Sequence, residues 1–245
     1  MISSDRILFT GGGGRLGGEV RKLLPGLVTP DLPEFDITRP GDVNEAVSHY
    51  RPELIVHAAA YTNVPGAEEH REDCWRVNVD GTRNIVRAAL DHNLPVLHIS
   101  TDYVFDGTRG NYREDDPLGP PFNYYALTKL VAESLVRIVP RHLVIRTSFR
   151  PNEWPYPVAF TDIYTSQDYL DVIAPEIVLA IRHFEDIPYD TVHIATERKS
   201  TFDLARRRRP DVRPGTKRDV AVKLPDDISL DISRWLELKG RWEAR

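Results

Sequence analysis

Cysteine is nearly absent. Cys74 stands alone in 245 residues, which excludes an intrachain disulfide and suits a reducing, cytoplasmic compartment. No apolar stretch approaches membrane-spanning length, and residues 1–10 lack the long apolar region of a secretory signal, so no membrane partner is expected. The eight histidines are scattered without Cys or close His partners at ligand spacing, and no metal site is expected. Neither sign of charge dominates strongly. A net charge of −5 gives no electrostatic reason to expect nucleic acid. Internal repeats, low-complexity tracts and long linkers are missing too, and the proline-rich patches at 117–121 and 151–157 read as ordered loops around a cleft.

What is present suits a substantial core: 41% hydrophobic and 28% charged residues point to one α/β domain, or to a large domain with a small appendage. Apolar runs at 7–10, 27–29, 54–59, 96–100 and 143–146 read as strands, separated by helical crossovers such as 42–50 and 75–92. This alternation implies a doubly wound, Rossmann-type parallel sheet with helices on both faces. In such a sheet ligands bind beyond the carboxyl ends of the strands, where Thr10, Asp31, Ala58 to Thr62 and Thr101 gather.

The first strand (RILFT, 6–10) runs into Gly11, Gly12, Gly13 and Gly14, then Arg15, Leu16 and Gly17. Glycines permit a sharp turn and bring backbone N–H groups against a pyrophosphate, which the positive end of the next helix also attracts. That helix follows from the spacing of Leu16, Val20, Leu23 and Leu24, and Pro25 and Gly26 stop it. Asp31, twenty positions after Gly11, is placed to accept the adenosine ribose hydroxyls, which favours NADH, or to cap the turn at Pro30. Arg15 offers the contrary option of neutralising a 2′-phosphate, so NADH versus NADPH stays open. Asp36 and Ile37 lie in an Asp-Ile-Thr segment before the helix near Pro40, where Asp36 either borders the adenine or organises the loop.

Residues 122–139 carry an apolar stripe at helical spacing (Ala126, Leu127, Leu130, Val131, Leu135, Val136). Within that helix Tyr125 and Lys129 are four apart and share a face. A phenol with a pKa of about 10 is a proton donor at neutral pH, and a neighbouring ammonium eases phenolate formation. Together they suit a general acid in ketone reduction; two surface residues on an ordinary helix are the alternative.

Further motifs fall in order along residues 6–149: AAAYTNV (58–64), NVDGT (78–82), STDYVFDG (100–107), YREDD (112–116) and RTS (146–148). With the glycine turn and the Tyr125/Lys129 pair, the set resembles the extended short-chain dehydrogenase/reductases, and more narrowly the dTDP-4-dehydrorhamnose reductase family. The resemblance implies that Thr101, Tyr125 and Lys129 are catalytic: Thr101 bonds the substrate carbonyl, Tyr125 protonates it, and Lys129 holds the nicotinamide ribose. It places Gly11, Gly14, Arg15, Leu16, Asp31, Asp36, Ile37, Ala58, Ala59, Ala60, Tyr61 and Asn78 at an NAD(P)H site. It puts Thr62, Asp102, Tyr103 and Phe105 at the substrate. Read from the residues alone, Thr101 satisfies local backbone, Asp102 belongs to a turn, and the alanines pack a strand end.

The resemblance also implies the reduction of a nucleotide-linked 4-keto-6-deoxy sugar such as dTDP-4-dehydro-L-rhamnose, in carbohydrate biosynthesis. A sugar-nucleotide epimerase or dehydratase, or an idle dinucleotide-binding regulatory subunit, are the alternatives. The expected partner is a nucleotide-sugar substrate, with a homodimer open as the assembly. Domain organisation reads as a dinucleotide-binding region at 1–150 and a small C-terminal substrate-binding lobe with terminal elements at 151–245, packed as one unit. The lobe is shorter than the family's pattern, and Pro65 stands where an acidic residue is common. The run Arg206 to Arg209 offers forks for a diphosphate, although its members point in different directions and charge runs usually mark hydrated faces. Trp235 and Trp242 are expected to anchor a terminal helix.

Overall fold

A computed structural model describes residues 2–219 and 224–244. Its main sheet is parallel and runs in the spatial order β1 (Ile7–Thr10), β2 (Leu54–His57), β3 (Val96–Thr101), β4 (His142–Thr147), β5 (Thr191–Ile194). The flanking helices are α1 (Arg15–Leu23), α2 (Pro40–Tyr50), α3 (Thr82–Asp91), α4 (Tyr124–Val136), α5 (Leu170–Arg182) and α6 (Ser233–Glu243). Strand side chains alternate between faces, so Ile7, Phe9, Val56 and Ile145 meet α1, α5 and α6. Leu8, Ile55, Val96 and Val144 turn the other way, towards α2, α3 and the end of α4. Both faces are covered, and this explains strands that are apolar throughout.

The chain reverses direction across the sheet at β1. From β1 it moves outward to Val28, whose N–H bonds Ile7 O at 3.2 Å and whose carbonyl accepts from Phe9 N at 2.8 Å. It then returns to the opposite edge of β1 to form β2. Such a reversal opens a crevice above the strand ends, which is where a doubly wound sheet takes its ligand.

Three expectations need correction. Residues 27–29 form only an isolated Leu8–Val28 bridge, because Gly26 at φ +88° and Pro30 confine the straight segment to three residues. Residues 75–92 are not one helix: Arg71–Trp75 leads through a wide π-type turn, Arg76–Gly81, into α3. The turn directs Asn78 inward, where its hydrogen bonds offset the irregular backbone. Nor does the sheet end near 150, since β5, α5 and α6 join the main core. What remains beyond 150 gathers around a smaller cluster of Trp154, Ala159, Tyr169, Leu204, Ala205 and Val212. Trp235 is buried in the main core and donates to Glu176 at 2.6 Å, while Trp242 stacks on His183, so both tryptophans anchor the last helix. No helix among the described residues is long and apolar enough to cross a membrane.

Candidate active site

A cleft of about 900 Å³ opens above the carboxyl ends of β1, β2 and β3. One wall is the glycine turn, which packs so closely that side chains are excluded. A Cβ at Gly11, where φ is +78°, falls 2.9 Å from the Ala59 backbone; one at Gly17 falls 2.4 Å from Gly11 O. Gly13 and Gly14 lie exposed at the start of α1; the Gly14 N–H closes the turn on Gly11 O at 3.0 Å, and the Gly13 N–H has no hydrogen-bond partner among the described residues. Thr10 ties the two strand ends together: its hydroxyl accepts from Ala58 N and Ala59 N at 3.2 and 3.1 Å and bonds His57 Nδ1 at 2.8 Å.

The opposite wall is a ladder down one face of α4. Asn123 caps the helix by accepting from Ala126 N at 2.7 Å, which fixes where Tyr125 and Lys129 emerge. Tyr125, Lys129 and Glu133 are successive rungs four residues apart, and each meets one of the last three residues of β3. The Tyr125 hydroxyl pairs with that of Thr101, Lys129 Nζ donates to Ile99 O at 2.8 Å, and Ser100 Oγ donates to Glu133 Oε1 at 2.6 Å. Glu133 also holds Arg146 in a doubly bonded pair, with both side chains 1% exposed.

Burial governs the charges of this wall. It raises the Tyr125 phenol above its ordinary value, and the neighbouring Asp102 adds to the shift, so the group is a protonated donor at neutral pH. It pulls Lys129 down to about 8, against the attraction of Glu133. Beneath Lys129 lie His98, 3.3 Å from its Nζ, and His57, both held neutral by burial and by the lysine charge. Asp102, buried at the cleft floor, is pushed up to about 6 by desolvation, although Thr101 and Ser148 hydrogen-bond to it. Thr101 Oγ1 donates to Asp102 Oδ1 at 2.9 Å, and Gln167 Nε2 donates to Ser148 Oγ at 2.9 Å. These contacts form a chain, Tyr125 to Thr101 to Asp102, braced from the far side by Ser148 and Gln167.

The profile of the RmlD substrate binding domain matches residues 5–173. The chain belongs to the dTDP-4-dehydrorhamnose reductase family. A dTDP-4-dehydrorhamnose reductase of Aggregatibacter actinomycetemcomitans is 35% identical over 181 residues, covering 70% of this chain and 61% of that protein. The chain thus spans about three fifths of that curated relative. Among solved structures, a dTDP-4-dehydrorhamnose reductase from Clostridium acetobutylicum superposes with a TM-score of 0.84 at 27% identity, covering 96% of this chain and 92% of the other. A dTDP-4-dehydrorhamnose reductase from Bacillus anthracis, solved in complex with NADP, gives a TM-score of 0.83 at 25% identity with the same coverage.

Most residues expected from this reductase family line the cleft: Gly11, Gly14, Arg15, Leu16, Asp31, Asp36, Ile37, Ala58, Ala59, Ala60, Thr62, Thr101, Asp102, Tyr103, Tyr125 and Lys129. Asp31 both bonds Leu32 N at 3.0 Å and lies over Gly13, where a Cβ would sit 2.0 Å from its Oδ2. Asp36 accepts from Thr38 N at 2.9 Å, so it organises its loop while bordering the cleft.

Three expected residues do not line it. Phe105 is fully buried, stacked on Tyr112 with centroids 4.4 Å apart and covered by Arg146. It cannot touch substrate from there, and its expected substrate role is withdrawn. Asn78 is buried and clasps Tyr61 through N–H (2.7 Å) and carbonyl (3.2 Å), so it shapes the Ala58 to Thr62 segment from behind. The Tyr61 hydroxyl lies beside Gly66, on the turn that follows. The sequence singled out neither Glu133 nor Gln167, and Ser148 only as the end of the RTS motif. Glu133 carried a signal, being one more four-residue step along the Tyr125 face; Gln167 carried none.

Proposed function

We propose that this chain is an NAD(P)H-dependent reductase of a nucleotide-linked 4-keto-6-deoxy sugar, in the manner of dTDP-4-dehydro-L-rhamnose reduction. The observation that carries the reading is the meeting of the Tyr125 and Thr101 hydroxyls opposite a glycine-walled cleft, with Lys129 fixed alongside. The side-chain-free turn at Gly11 and the open N–H group at Gly13 fit a dinucleotide pyrophosphate. When bound, the reduced nicotinamide supplies hydride to the carbonyl carbon.

The chain's own residues handle the oxygen. Tyr125 presents its hydroxyl to the carbonyl, Thr101 joins it by turning its one hydroxyl proton from Asp102 to the substrate oxygen, and the raised pKa of Tyr125 keeps its proton in place until negative charge develops on the substrate. Asp102 and the Tyr103 N–H hold the Thr101 hydroxyl in position from below. Lys129, anchored at Ile99 O, keeps a positive charge beside the reacting oxygen and is placed for the nicotinamide ribose. The lone Cys74 is buried and free, which suits a cytoplasmic enzyme. Self-association as a homodimer is part of the same reading.

The test is loss of reduced-cofactor absorbance when dTDP-4-keto-6-deoxy sugars are added with NADH or NADPH. Turnover is expected with the wild type, and Tyr125→Phe should lower kcat by about 10²–10⁴-fold without changing the fold by circular dichroism. Normal turnover by the variant removes the proton-donor assignment. Cofactor binding without turnover on any keto-sugar nucleotide points instead to a regulatory subunit.

A further inference from the structure

Arg150 is a cation without a salt bridge among the described residues. It ends the short strand Phe149–Arg150, which pairs in parallel with Asp168–Tyr169 just past the end of β4. Its guanidinium lies over the Trp154 ring at 4.5 Å. The buried Nε has no hydrogen-bond partner, and no hydrogen bond or ion pair to any nitrogen of the guanidinium occurs among the described residues. Trp154 Nε1, beside it, is buried and unpartnered as well. Two strong donors left open in one place are unusual, because buried donors are nearly always satisfied.

The neighbouring arginines make the contrast plain. Arg207 meets Asp168 at 2.9 Å, Arg208 meets Asp171 at 2.7 Å and Arg209 meets Asp211 at 3.4 Å. The basic run singled out in the sequence is therefore largely neutralised by its own carboxylates, with Arg206 resting on Phe202. Around Arg150 the groups that act on its charge are Tyr103, Tyr156 and Tyr169, together with Asp102, which is hydrogen-bonded to Thr101 rather than to the guanidinium. Partial burial lowers its affinity for the proton from the ordinary arginine value.

Its position relative to the reacting hydroxyl suggests what it awaits. Tyr103 and Phe149 line the cleft, and the Tyr103 ring is 6.2 Å from that of Tyr125. In a nucleotide sugar the 4-keto group and the anomeric phosphate stand at opposite ends of one hexose ring. With the ketone at Tyr125, the phosphates stand one sugar away, and Arg150 is the cation that adjoins the cleft-lining Phe149 and lies close enough to Tyr103 to feel its charge. We infer that Arg150 is the anchor for the substrate's diphosphate, its guanidinium fork taking phosphate oxygens that no protein carboxylate replaces. The inference rests on the nucleotide-sugar reading above and adds to it the residue that distinguishes a diphosphate-linked sugar from a free one.

Calorimetric titration of the full chain with dTDP, with thymidine, and with NADPH separates the two claims. The wild type should bind dTDP at least tenfold more tightly than thymidine, and more weakly as salt rises. Arg150→Gln should lose about 10- to 100-fold in dTDP affinity, the range of one or two charge-assisted hydrogen bonds, with NADPH affinity unchanged. Arg150→Lys should recover part of the loss, since it restores charge without the fork. The lysine variant also keeps the question answerable should the glutamine variant fold poorly. Equal dTDP binding by wild type and both variants overturns the inference and leaves the reductase reading standing. A wild type that binds NADPH but neither dTDP nor thymidine overturns the nucleotide-sugar reading as well.

Discussion

The two ends of the cleft are built on opposite principles. At the Tyr125 end, ionisable groups are buried and bonded to one another: Lys129 to Ile99 O, Glu133 to Arg146 and Ser100, Asp102 to Thr101. At the glycine end the wall is bare backbone, and the charges beside it, Arg15 and Asp31, are exposed or half exposed. Proton transfer gains from low dielectric and fixed donors. A pyrophosphate needs only close approach of N–H groups, and side chains would obstruct it. Removing a single charge should therefore matter greatly at one end and little at the other.

The largest effect is expected at Glu133. Glu133→Ala leaves Arg146 buried at 1% exposure with no carboxylate partner, its remaining polar partners being the Glu114 carbonyl and His193. Breaking a buried pair from one side costs about 3–5 kcal/mol. Urea denaturation should show a loss of this size, while Arg15→Ala shifts stability by no more than about 0.5 kcal/mol. Equal effects of the two substitutions would erase the contrast between the ends.

Asp102 sharpens the comparison in the other direction. Its folded pKa of about 6 lies above the ordinary 3.8, so the native state holds this proton more tightly than the unfolded chain. Its contribution is then fully favourable below about pH 4, declines as pH rises from about 4 to 6, and is gone above that. Asp102→Asn removes the titration. Relative to wild type, the variant should gain about 1–3 kcal/mol between pH 4 and pH 7, from two units at 1.36 kcal/mol each as the upper bound. Paired thermal melts across that range measure it; a difference that stays flat with pH contradicts the buried, desolvated carboxylate.

This split also explains what could be read before the structure was known. β1 was legible to the residue, and β3, β4 and α2 to within one or two, because each is a strongly patterned apolar run between clear stops. β5 was missed, being four residues long with His193 in its middle, so no apolar run announces it. The glycine turn and the four-residue step from Tyr125 to Lys129 are local patterns and were visible. Asp102's bracing by Ser148 and Gln167, and the isolation of Arg150, depend on a two-residue pairing between 149–150 and 168–169 that no local pattern records. Phe105 was misplaced because a motif states adjacency in sequence, whereas the strand-end turn at Asp102–Val104 points Phe105 into the core against Tyr112.

The smallest effects are expected at the glycine end, where they decide the cofactor. The Asp31 carboxylate overhangs Gly13, and Arg15 stands exposed at the first position of α1. A 2′-phosphate there is attracted by one and repelled by the other, while free ribose hydroxyls are accepted by Asp31. Interactions of exposed charges are worth about 1 kcal/mol or less, so each substitution should change the NADPH to NADH preference by no more than about fivefold. Asp31→Ala should move it towards NADPH and Arg15→Ala towards NADH, read as the ratio of dissociation constants at low salt. Both shifts should shrink at high ionic strength, because these groups, unlike those around Tyr125, are screened by solvent. A shift that resists salt would mean that the bound cofactor closes this end against water, and the two ends would then differ only in the unliganded protein.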